Sequence, residues 1–268
     1  MRIVQRLLGV IVALAALLAT PASAAIFTYT SASGSTNWAA GTNWAPSAPV
    51  SGTTTSLIFT GSQAASASVV SNNASGTFVL SGLTFSGTGP GSGTPPTYTI
   101  SGNPLDFTVA SGTATLAVNS AGTIKPTLTI SNNIVIDATQ LLVSQQATTN
   151  PFTLTGTISG AGQLALNFAS GATGTTTLNA NNSFSGGTWI QRGTLLLGTS
   201  AVGNSGANSV LGTSGTITMG NGSASASGIR YTGGSTATDK AIVLAATTGT
   251  ATITVARRPT PRSPCPAT

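Results

Sequence analysis

The chain has 268 residues, of which only 4% are charged: nine Lys or Arg against three Asp, with no Glu and no His. A lone cysteine, Cys265, excludes an internal disulfide, and without histidine it cannot complete a tetrahedral metal set, so neither a metal site nor a cofactor is expected. The formal charge of +6 is concentrated at the ends, leaving Lys125, Arg192, Arg230 and Lys240 against Asp106, Asp137 and Asp239 in the middle, which lacks the clustered basic stripe that nucleic acid requires.

Residues 1–24 read as a signal peptide. Arg2 and Arg6 supply a positive start, Leu7 to Leu18 an apolar run, and Ala22-Ser23-Ala24 a small-residue cleavage site. That run falls short of the roughly 20 residues needed to span a bilayer, and no later segment is apolar enough to do so. The exported chain is therefore expected to begin at Ala25 and to reach the cell surface or the extracellular space.

Two aromatic dipeptides follow, Asn37-Trp38 and Asn43-Trp44. Two large rings near the start of an exported chain suit a cap over the open end of a coiled core, because a terminal repeat otherwise exposes its apolar interior. A sugar-stacking platform is the alternative reading, with Trp38, Trp44 and Trp189 as its candidate glycan-stacking residues.

From Thr55 onward, strand candidates follow at short intervals: Leu57 to Phe59, Phe78 to Leu80, Leu83 to Phe85 and Tyr98 to Ile100. Leu105 with Phe107, Leu116 with Val118, Leu128 with Ile130, and Ile134 with Ile136 sit two residues apart, which places each pair on one face of a strand. Leu164, Leu166 and Phe168 continue the pattern, as do Ile217 with Met219 and Ile253 with Val255. Thr, Ser or Asn fills most intervening positions, and Gly-Thr, Ser-Gly and Asn-Asn pairs supply turns. No stretch beyond the signal repeats at 3.6 residues. The fold class is all-β, one continuous region over residues 25–255.

Residues 174–198, GTTTLNANNSFSGGTWIQRGTLLLG, organise this reading. Thr175 to Leu178 lead into an asparagine-rich turn at Asn179, Asn181 and Asn182. Phe184, a Gly186-Gly187 corner, Thr188 to Ile190, a Gly193 corner and Thr194 to Leu197 follow. The segment resembles the autotransporter-associated β-strand repeat, whose members read roughly Gly-Thr-x-x-Leu, Asn-x-Tyr/Phe-Ser-Gly-Gly-Thr and Gly-Thr-Leu. The upstream run from Leu154 to Leu164 matches what usually precedes it, and the similarity covers residues 151–198. Phe184 stands where Tyr is common and keeps the ring. The resemblance implies an exported bacterial passenger-like rod that displays loops or adheres to surfaces, without catalysis and with surface glycans as possible partners.

Architecture follows from repeat and composition together. Few bulky aromatics, small polar turn residues and the repeat favour a right-handed parallel β-helix over a β-sandwich or jelly roll. A sandwich remains the runner-up. Ser86 to Pro96, SGTGPGSGTPP, reads as a surface loop, because neither a Lys-Ser/Thr pair nor a helix follows for a phosphate cradle.

The chemistry of catalysis is missing. Glycoside hydrolysis needs two facing carboxylates, and Asp106, Asp137 and Asp239 read instead as turn or edge residues. Serines have no histidine to activate them, and Gly160 and Gly162 read as a coil corner. Four threonine pairs, Thr127-x-Thr129, Thr153-x-Thr155, Thr216-x-Thr218 and Thr252-x-Thr254, suggest an ice-ordering or glycan-gripping face. Their intervals of 26, 63 and 36 residues look too uneven for one array, so they read as ordinary solvent-facing strand threonines. Residues 256–268 gather arginine, proline and Cys265, and break from the β pattern. The expectation is an out-of-frame or truncated end, which keeps a fragment without function as a further alternative.

Overall fold

A computed structural model of the chain describes residues 24–30, 37–60, 68–86, 97–119, 127–146, 152–169, 174–198, 200–222, 226–245 and 248–256. The expected signal peptide and the Pro/Arg-rich tail, apart from Ala24 and Ala256, lie outside the described residues, as does most of the Ser86 to Pro96 loop.

The described chain is all-β: a parallel β-helix of about seven turns, with one 3₁₀ turn at Gly41–Asn43 among the described residues. The strands are β1 (Ala25–Tyr29), β2 (Trp44–Ala45), β3 (Thr55–Thr60), β4 (Ser68–Asn72), β5 (Phe78–Leu80), β6 (Gly82–Ser86) and β7 (Thr97–Gly102). Next come β8 (Leu105–Phe107), β9 (Thr113–Asn119), β10 (Thr127–Ile130), β11 (Ile134–Ile136), β12 (Gln140–Gln145), β13 (Phe152–Leu154) and β14 (Ile158–Ser159). The last are β15 (Gln163–Phe168), β16 (Thr175–Leu178), β17 (Thr188–Leu197), β18 (Thr216–Met219), β19 (Ser227–Tyr231), β20 (Ala241–Leu244) and β21 (Ala251–Val255).

Three parallel sheets form the walls. Sheet one stacks β1, β3, β6, β9, β12, β15, the first part of β17, β18 and β20. Sheet two stacks β4, β7, β10, β13, β16, the second part of β17, β19 and β21. Sheet three is shorter, with β5, β8, β11 and β14.

Period two explains the core. Phe27, Leu57, Leu83, Leu116, Val143, Leu166, Ile190 and Met219 fall in register on sheet one, and all are buried. Val70, Ile100, Ile130, Leu154, Leu178, Leu197 and Tyr231 do the same on sheet two. Each such side chain removed from water contributes about 1.5–3 kcal/mol. A one-residue slip would turn a whole spine outward, so the register is fixed by burial.

The corners use asparagine and glycine together. Asn72 faces Gly102, where a Cβ would stand 2.3 Å from the Asn72 carbonyl oxygen; at Gly156 a Cβ would stand 1.9 Å from that of Asn132. The amides of Asn72 and Asn132 both donate to the Asn103 carbonyl, at 3.1 and 2.7 Å. Gly193, at φ +98°, lets β17 turn from sheet one to sheet two without a break, and the Phe168 ring fills the space that a side chain there would need. The sequence placed a corner at Gly193; in the structure the strand runs through it.

Candidate functional site

The tryptophans do not form one surface. Trp38 and Trp44 are 1% and 4% exposed and sit at the start of the coil inside a cluster of rings. Their centroids are 5.8 Å apart at an interplanar angle of 81°. Tyr29 lies 5.1 Å and Phe59 5.5 Å from Trp44, and Phe78 lies 5.4 Å from Trp38. Edge-to-face packing of this kind adds to the stabilisation from burial itself. β2 pairs antiparallel with β1 and brings Trp44 opposite Tyr29, so the segment folds back across the coil end. These rings close the core, and neither has a free face on which a sugar could stack.

Trp189 lies elsewhere, pointing outward from sheet one between Ala165 and Thr218. It is half-buried, and its indole N–H donates to the Gly220 carbonyl at 2.7 Å. Ala165, outward on the same face, is fully buried. Of the three glycan-stacking candidates, only Trp189 keeps any surface.

The carboxylates separate in the same way. Asp106 points outward from sheet three opposite Val135, and Asp137 follows β11 directly, so neighbouring turns bring these two acids close. The Thr108 hydroxyl donates to Asp106 at 2.6 Å. Burial, more than the Asp137 charge, raises the Asp106 pKa above the ordinary carboxylate range, while the Thr108 bond opposes the rise. Asp239 is on a different part of the coil and accepts the Ser205 N–H at 2.6 Å.

Lys240 was not singled out by the sequence. It is buried, and its ammonium donates to the Gly212 and Ser214 carbonyls at 3.0 and 2.6 Å, pinning the 198–215 excursion. Burial lowers its pKa, against the pull of Asp239. Nothing in its position in the sequence, flanked by Asp239 and an apolar strand, announces this.

The repeat residues have a defined structural task. Sheet three ends at β14, and the next turn has no strand there. Asn182 takes its place: its side-chain oxygen accepts the Ile158 N–H at 2.8 Å, and its amide donates to the Val210 carbonyl at 2.8 Å. Its backbone forms an antiparallel bridge with Ser209. Phe184 is fully buried, and the Gly212 Cα lies against it with no room for a Cβ.

Connecting segments of varied length join the three sheets. The chain segments between sheets one and two are residues 61–67, 87–96, 120–126, 146–151 and 169–174, and they occur on successive turns. The connections from sheet two to sheet three run over residues 73–77, 103–104, 131–133 and 155–157, and those from sheet three back to sheet one over residues 81, 108–112, 137–139 and 160–162. Turn length varies at the other corners as well: from sheet two back to sheet one, β17 and β18 are separated by residues 198–215 and β19 and β20 by residues 232–240, while β17 joins sheets one and two with no connecting segment.

The described geometry defines a parallel β-solenoid with an aromatic cluster packed across the first turns. Among the described residues no helix is long and apolar enough to cross a membrane. No family model matches the chain, and no curated protein or solved structure matches it.

Proposed function

We propose that this chain is a non-catalytic, exported structural or adhesive surface protein, akin to an autotransporter passenger segment. The rod is the support and the edge between sheets one and two is the working part. The observation that carries this reading is the parallel solenoid itself, in which segments of six to ten residues separate sheet one from sheet two on five successive turns. A core that contacts only neighbouring turns tolerates such insertions at small cost.

The test has two arms. Expression in a bacterial host with residues 1–24 intact should place the chain outside the cytoplasm, with a mature start at Ala25. Replacing residues 87–96 with a short Gly-Ser link should leave the β circular-dichroism signal and melting unchanged while reducing binding to host surfaces. Retention in the cytoplasm, or unchanged binding after removal of each edge segment, would overturn the proposal.

A carbohydrate-binding reading now rests on Trp189, because Trp38 and Trp44 are inside. Glycan-array binding lost in Trp189→Ala would support it, and an array without any bound glycan would remove it.

A further inference from the structure

The outer face of sheet two carries an ordered lattice that the uneven sequence spacing concealed. Thr99, Thr129, Thr153 and Thr177 occupy one outward column on four consecutive turns, in direct register. Thr97 pairs with Thr127 in the column beside it, and Thr175 pairs with Thr194 further along. The unequal intervals arise because Thr129, not Thr127, stands opposite Thr153, and because connecting segments differ in length while the strands themselves stay aligned. Thr216 and Thr218 share the sequence motif but belong to sheet one, and they drop out of the array.

The dimensions follow from strand geometry. Neighbouring turns stand about 4.8 Å apart, and outward residues two apart on a parallel strand about 6.6 Å. The result is a nearly rectangular net of hydroxyls and methyls, held rigid because the alternate residues Tyr98, Ile100, Leu128, Ile130, Phe152, Leu154 and Leu178 are locked in the core. The column alongside behaves differently. There the hydroxyls of Ser131 and Thr155 turn back and donate to the Ile100 and Ile130 carbonyls at 3.0 and 3.5 Å. Among the described residues, the hydroxyls of Thr97, Thr99, Thr127, Thr129, Thr153, Thr175 and Thr177 have no protein partner, so their hydrogen bonds are directed outward. The net contains no charge and no aromatic ring; Arg230 enters its column only beyond Leu196.

We propose that this threonine net is an ice-binding face, whose ligand is the ordered water lattice of an ice-crystal surface. Rigid hydroxyls anchor waters at fixed points, and the methyls between them restrict the orientations of intervening waters. Waters held at a two-dimensional repeat comparable with the oxygen spacings of hexagonal ice can merge into the crystal. A flat polysaccharide is the less favoured occupant, because the face offers no aromatic platform for sugar rings. The inference stands independently of export or adhesion.

Purified full-length chain should shape growing ice crystals, produce thermal hysteresis and inhibit ice recrystallisation. The double variant Thr129→Lys/Thr153→Lys, at the centre of the net, should lose all three effects with an unchanged β circular-dichroism spectrum and urea midpoint. Thr84→Lys, outward on sheet one, should retain them. Should the double lysine variant fail to fold, Thr153→Ser keeps the hydroxyl and removes one methyl, and it should still weaken hysteresis. Absence of any ice effect in the parent chain, equal activity in the net variants, or adsorption to cellulose or chitin without an ice effect would overturn the proposal.

Discussion

Asn182→Ala isolates the physical role of the asparagine in the repeat. The side chain is buried and bridges two turns, accepting from the Ile158 amide at 2.8 Å and donating to the Val210 carbonyl at 2.8 Å. Alanine removes both partners at once and leaves a buried N–H and a buried C=O unpaired. Each such group costs about 1–3 kcal/mol, so a total loss of about 2–5 kcal/mol is expected, the upper end reduced if water enters. Asn182→Asp should be at least as destabilising as alanine at pH 7, because it keeps the acceptor for Ile158 but buries a carboxylate charge against the Val210 carbonyl. Asn181, exposed in the same turn, supplies the control, and its alanine variant should stay within about 0.5 kcal/mol of the parent. Urea unfolding with an unchanged m-value gives the stability difference. Hydrogen exchange adds a local reading, because the Ile158 amide should lose protection first. If Asn182→Ala matches Asn181→Ala in both measurements, the side chain does not carry the missing strand of sheet three, and the account of the repeat fails.

Other perturbations probe other parts of the coil. Gly156→Ala drives a Cβ to 1.9 Å from the Asn132 carbonyl oxygen, so backbone must move; a loss of at least about 2 kcal/mol in urea unfolding is expected, and a neutral result would refute the tight corner. Trp38→Ala should cost about 3–5 kcal/mol and raise exchange in β1 and β3 before β12, as removal of a cap requires. The folded Asp106 pKa is raised, so its contribution to stability is fully present below the ordinary carboxylate range and is lost as pH rises through the folded value. Asp106→Asn should therefore be more stable than the parent at pH 7, with the difference vanishing under strongly acidic conditions; an opposite pH trend would contradict the assigned cause. Amides of β20 and β21 should exchange fastest among the described strands, because Leu244 and Val255 are 64% and 65% exposed; equal protection in β12 and β21 would count against this reading.

Much of the fold was legible because burial alternates along each strand. Leu57 and Phe59, Leu105 and Phe107, or Leu164, Leu166 and Phe168 announce an inward face by spacing alone, and each pair is buried. Strands with weaker contrast stayed hidden: β12 carries Leu142 outward between Gln140 and Ser144, and β4, Ser-Val-Val-Ser-Asn, offers no pair of large apolar residues two apart. Corner chemistry was readable at Gly186-Gly187, but not at Gly102 and Gly156, whose need for glycine comes from asparagines on the preceding turn. The candidate site was the least legible. Trp38 and Trp44 look alike as platforms and as plugs until the rings around them are placed. The threonine net was seen as four unequal pairs, because sequence distance counts residues that leave at a corner whereas strand register does not.

That same separation between core and corner links the two faces of the molecule. Each turn is held by apolar positions such as Leu116, Val143 and Leu166, which fix the vertical repeat irrespective of how many residues lie between β9 and β10 or between β12 and β13. Connecting segments are thus free to differ in length and composition, while the walls between them are constrained to a constant period. An isolated flat strand edge or sheet would pair indiscriminately, but here the ladders are satisfied turn by turn, and what the wall presents to solvent is a side-chain pattern. Variation therefore resides in the connecting segments and repetition in the walls. Both follow from a single constraint, the register of a thin aliphatic core.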